Sequence, residues 1–75
     1  MARAMFEYTK EVLHKVSFDV ALFIREIEKA TRILLPHEII ELRNFVQDLT
    51  HINPHLESSL HFLDVWMFDN FSIAG

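Results

Sequence analysis

Apolar residues recur at spacings of three and four through four consecutive stretches, with breaks at Ser17-Phe18-Asp19, at Pro36 and at Asn53-Pro54. That periodicity gathers apolar side chains on one side of an α-helix. Residues 3–15 place Phe6 and Leu13, continued by Val16, on one side with Met5 and Val12 beside them, while Glu7, Glu11 and Lys15 support the exposed side as neighbours four apart. Residues 20–34 carry the clearest pattern, an unbroken stripe of Val20, Phe23, Ile24, Ile27, Ala30, Thr31 and Leu34. Charged residues from Arg25 to Arg32 occupy the opposite side, and Leu22 and Ile33 lie outside the stripe. These two widen the apolar face beyond what one antiparallel partner would cover. Residues 36–50 place Ile39, Leu42, Phe45, Val46 and Leu49 together, and residues 54–68 do the same for Leu56, Leu60, Leu63 and Met67, with Phe62 and Trp66 flanking.

The breaks have their own chemistry. Asp19 is suited to cap the second helix, with Phe18 before it as a hydrophobic staple, and Ser17 belongs to the bend. Pro36 pushes Leu35 out of the helical region and itself suits a first helical position, where Glu38 and Glu41 then meet the positive end of the dipole. So short a connection predicts an antiparallel hairpin of the second and third helices, with Phe23, Ile27, Leu34, Leu42, Val46 and Leu49 between them. Asn53 and Pro54 repeat the device, with Glu57 in the first turn. Residues 69–75 are expected to fray. The only glycine is Gly75, so left-handed turns, β-bulges and phosphate-binding loops are disfavoured throughout. The expected fold is all-α: a small antiparallel helical hairpin or bundle of three to four helices in a single domain spanning residues 1–75. Met5 offers an alternative start, which would set residues 1–4 apart from the natural chain.

At Phe6-Glu7-Tyr8-Thr9-Lys10, Lys15-Val16-Ser17-Phe18-Asp19 and Leu22-Phe23 the chain resembles a group of short, uncharacterised bacterial helical proteins. The resemblance covers roughly residues 5–49 and implies a bacterial helical protein without implying any chemistry.

Charge narrows the function classes. The net charge is −4, unevenly placed: residues 1–35 hold six cations and five carboxylates, whereas residues 36–75 hold Arg43 alone against six carboxylates. A nucleic-acid surface needs a basic face, so neither DNA nor RNA is an expected partner. The C-terminal stretch is interrupted by Asp64 and Asp69 and is too short for a membrane span, and the first residues lack the apolar core of a signal peptide, so a cytoplasmic location is expected. With no cysteine, neither disulfides nor a Cys-based zinc site can support so small a core.

Five histidines raise the question of metal binding. His51 and His55 are four apart with Asp48 nearby, yet Pro54 between them interrupts the helix that would align two imidazoles, so polar side chains around a turn are the expected reading and no metal or other cofactor is expected. His14, Ser17 and Asp19 hold the residue types of a hydrolytic triad, but sequence proximity does not make one and Ser17 is explained by the bend. No enzymatic activity is expected. The feature with functional content is the aromatic C-terminal segment. Phe62, Trp66, Phe68 and Phe71 place four of the nine aromatic residues within ten positions, tryptophan, phenylalanine and methionine are enriched at interface centres, and Phe62, Trp66 and Phe68 point to more than one side of a helix. Hydrophobic residues make up 51% of the chain, a surplus for a domain dominated by surface. These features point to a non-catalytic interaction module that self-associates or serves as an accessory subunit of a larger assembly, with Phe62, Trp66, Met67 and Phe71 at the protein interface. The alternatives are a regulatory adaptor that binds through its acidic second half, and a peripheral membrane contact through the aromatic tail, which the lack of a basic face disfavours.

Overall fold

A computed structural model describes residues 3–71. Four α-helices follow in order: α1 (Arg3–Lys15), α2 (Val20–Ile33), α3 (Pro36–Ile52) and α4 (Glu57–Phe71), with one 3-10 turn, Pro54–Leu56, leading into α4. No strand occurs among the described residues. The fold is all-α, as the periodicity requires. The molecule is flat, 37 × 29 × 18 Å, and its thin dimension is that of two helix layers.

Local chemistry accounts for most boundaries. The Asp19 carboxylate accepts from the backbone N–H groups of Ala21 (3.0 Å) and Leu22 (3.2 Å), satisfying two donors that a helix start leaves open. Phe18 does not staple this helix: it is strongly exposed, while Phe23, the residue it would meet, is in the core. At the start of α3 the Leu35 N–H donates to the Glu38 carboxylate at 3.0 Å, the returning half of a capping box, and Glu38 is buried there. Asn53 holds the expected N-cap position, with Pro54 first in the helix it caps, but it makes no side-chain cap bond. Its side chain donates back to the Leu49 carbonyl (3.4 Å), closing α3, and Pro54 opens a 3-10 turn in place of an α-helix. Residues 69–71 also depart from expectation, since α4 continues through Phe71. The Asn70 side chain donates to the Trp66 carbonyl (2.8 Å), and the Trp66 and Phe71 rings meet edge to face at 5.4 Å. Residues 72–75 lie outside the described part.

The largest correction concerns pairing. Helices α2 and α3 do not form the expected hairpin. Helix α2 packs on α1 and α4, and α3 packs on α4 and α1, so the order around the core is α1, α2, α4, α3. The joint explains this: Leu34 (φ −91°, ψ 155°) and Leu35 (φ −75°, ψ 156°) are both extended, and no glycine is present to supply the left-handed residue that folds a chain back sharply after a helix. The residues assigned to the hairpin are nevertheless all buried, because Phe23, Ile27, Leu34, Leu42, Val46 and Leu49 point into a core shared by all four helices.

Helix α1 completes that core with Phe6 and Leu13, and α4 with Leu63, after Leu56 in the 3-10 turn. Ser59 is fully buried as well, its hydroxyl donating to the Leu56 carbonyl, and its small side chain lets α4 approach its neighbours closely. The Lys10 ammonium lies 4.7 Å from the Phe6 ring centre within α1, and across the α1–α3 contact it lies 5.9 Å from the Phe45 ring centre, which His14 meets edge on at 5.5 Å. Arg43 of α3 clamps α4 through a two-pronged ion pair with Asp64 (2.8 and 3.3 Å) and also donates to Gln47 (3.1 Å). Its guanidinium pKa is raised chiefly by the Asp64 hydrogen bond, with the Asp64 charge adding to it and partial burial opposing it.

Two stability outcomes follow. Ile27 is fully buried, so Ile27→Ala should cost about 2–5 kcal/mol in urea unfolding; a loss under about 0.5 kcal/mol, the size of a surface substitution, would remove it from the core. Arg43 and Asp64 are both part-exposed, so a double-mutant cycle with Arg43→Met and Asp64→Asn should give a coupling of about 0.5–1 kcal/mol. The raised Arg43 pKa places loss of its charge above the ordinary guanidinium range, so the coupling should be equal at neutral and moderately alkaline pH.

Candidate interaction surface

Helix α4 has no solvent face of the usual kind. Its core side runs through Leu63 and Ser59, and its flanks carry Leu60, Phe62, Trp66, Met67 and Phe71, all half-buried against the core cluster. The outward stripe is Ser58, His61, Val65 and Phe68, spaced three and four apart, and Phe68 is 71% exposed and Val65 47% exposed. A helix apolar on every side is normally covered on every side. The charged residues of α4 are Glu57, Asp64 and Asp69, with no lysine or arginine. The open side of α4 therefore exposes Val65 and Phe68 beside Ser58 and His61, with the carboxylates of Glu57 and Asp69 near its two ends.

Phe62, Trp66, Met67 and Phe71 thus fall on one helix, on the shoulders between core and solvent. The outermost apolar groups of α4 are Val65, which the sequence reading did not single out, and Phe68, which it counted in the aromatic cluster but did not assign to the interface. The signal lay in spacing: positions 58, 61, 65 and 68 form the stripe opposite Leu56, Ser59 and Leu63, and would have been read so had Ser59 been recognised as a core residue.

The candidate chemical groups are not brought together. His51 is exposed near the end of α3, and His55 lies in the 3-10 turn with its Nε2 2.7 Å from the Ser17 carbonyl, a contact that ties the α1–α2 turn to the start of α4. Among the described residues no group of three or more His, Asp or Glu side chains is placed to hold a metal ion. The Ser17 hydroxyl donates to the His14 carbonyl (2.9 Å), Asp19 caps α2, and the His14 ring meets Phe45, so these three side chains do not converge. A polar hollow of about 270 Å³ lies where α3 gives way to α4, bordered by Gln47, Thr50, His51 and Glu57. No described helix is long and apolar enough to cross a membrane.

No family model, no curated protein and no solved structure matches this chain. The functional reading therefore rests on the surface itself.

The positions of His51 and His55 give a simple test. Treatment with a chelator should leave helicity and the melting temperature unchanged, whereas a fall in melting temperature restored by zinc would show a site built from Asp48, His51 and His55.

Proposed function

We propose that this protein is a non-catalytic interaction module that docks as an accessory subunit through α4. The observation that carries this reading is the exposure of Val65 and Phe68 on a helix whose shoulders are already apolar. Contiguous apolar surface of this kind marks interaction sites on small domains. Phe62, Trp66, Met67 and Phe71 form the shoulders of the interface and Val65 and Phe68 its centre. The partner presents apolar side chains framed by lysine or arginine, because Glu57 and Asp69 border the surface and α4 offers no cation of its own. The same lack of cations sets α4 apart from helices that lie on anionic membranes.

Phe68 is exposed, so it can be tested apart from folding; Trp66, which packs on the core and on Phe71, cannot. Phe68→Asp should shift stability by no more than about 0.5 kcal/mol. A photo-crosslinking residue at position 65 should trap one partner of defined mass in the source cell, lost when Phe68→Asp is added, while the same probe at exposed Asn44 traps none. Equal labelling from both positions, or none from position 65, would overturn the assignment.

A further inference from the structure

We propose that α2 forms the interface of a homodimer, two copies packing α2 against α2 in antiparallel fashion about a two-fold axis. Leu22, Glu26, Lys29 and Ile33 follow one another at spacings of four, three and four, which holds them within one narrow stripe on the flank of α2 beside α1; Leu22, Lys29 and Ile33 are exposed there and Glu26 is half-buried. The spacing reads the same in both directions, and the order of types is apolar, acidic, basic, apolar. Reversing one copy against the other sets Leu22 of each against Ile33 of the other, and Glu26 of each against Lys29 of the other. Parallel pairing would set Glu26 on Glu26 and Lys29 on Lys29. A two-fold contact requires this reciprocity, residue i meeting j while j meets i.

The surface around the stripe suits the occupant. Leu22 is 38% exposed and Ile33 53% exposed, and beside Ile33 a groove of about 150 Å³ opens between α1 and α2, bordered by Met5, Tyr8 and Lys29 with Ala30 in its wall. The reversed Leu22 of the other copy is delivered to this end of the groove. Glu26 and Lys29 already pair within one copy at 3.1 Å, and the dimer turns that pair into a square of four alternating charges. Charge also favours pairing of two copies on this side over the acidic half. Residues 1–35 balance to +1, so two copies can approach through α2, whereas residues 36–75 balance to −5 and repel their like.

This surface is separate from α4, so either proposal can fail alone. The test uses the full chain, with mass measured by light scattering and sedimentation. The wild type should be a dimer in equilibrium with monomer. Glu26→Lys and Lys29→Glu should each raise the dissociation constant by about tenfold or more, since each places two like-charge contacts across the axis. The double swap Glu26→Lys/Lys29→Glu restores every contact with signs exchanged and should return the constant to within about threefold of wild type. Leu22→Asp should give a monomer by a route outside the ion pairs, Phe68→Asp should leave the dimer intact, and circular dichroism should report unchanged helicity in every variant used. A wild type that stays monomeric to about 1 mM overturns the proposal. So does a single reversal without effect, a double swap that fails to rescue, or a dimer lost through Phe68→Asp.

Discussion

The joint at Leu34 and Leu35 governs the arrangement of everything else. Two extended residues, followed by a proline that must begin a helix, turn the chain without folding it back on itself. Helix α3 therefore leaves α2, and the apolar stripes of the two helices converge only because α1 and α4 fit between them. The buried Glu38 side chain holds the corner by accepting the Leu35 N–H, an amide that would otherwise be an open donor at the base of the bundle. A glycine after Leu34 would have permitted a close hairpin and a different order of helices.

The same joint explains why the surface is apolar. Four short helices arranged around one core two layers thick give each helix two neighbours and leave its remaining side to solvent. Helix α2 answers with charge on most of that side, keeping Leu22 and Ile33 at its two ends. Helix α4 answers with Val65 and Phe68 and no cation. A domain of this size buries only about 60% of the surface of its unfolded chain, so apolar residues beyond the core's capacity appear outside. They include Leu22 and Ile33 on α2 and Val65 and Phe68 on the acidic α4, with Tyr8, Phe18, Ile40 and Ile52 exposed elsewhere. The two proposed contacts use different helices, so neither would block the other.

The helices themselves were legible along the chain because their signals are local. Periodicity, the Asp19 cap, Pro36 at a helix start and Glu38 in the first turn each act within one turn of backbone. Three local signals misled. Phe18 has the position of a staple, but the turn leaves it in water. Asn53 has the chemistry of an N-cap, but its amide is engaged by α3. The polar run Asp69-Asn70 resembles a helix end, but Trp66 and Phe71 meet across it and carry the helix on. Each propensity is worth about 1 kcal/mol or less, so a competing bond four residues back, a ring pair five residues apart or exposure at the turn is enough to outweigh it.

The amino-acid sequence alone determined that this chain is helical, where its first three helices begin, most of the apolar residues that enter the core and that apolar residues exceed what the core can take. Periodicity states which side of a helix is buried, and capping chemistry states where it starts; both depend on residues near in sequence. Which helix stands beside which was decided only in three dimensions, because an apolar stripe is satisfied by any apolar partner and does not name one. For the same reason Phe62, Trp66, Met67 and Phe71 could be recognised as surplus but not located. Whether a flanking aromatic residue leans inward or outward depends on which line of α4 faces the core, and that line runs through Ser59, a small polar residue that hydropathy assigns to the surface and the packing buries completely.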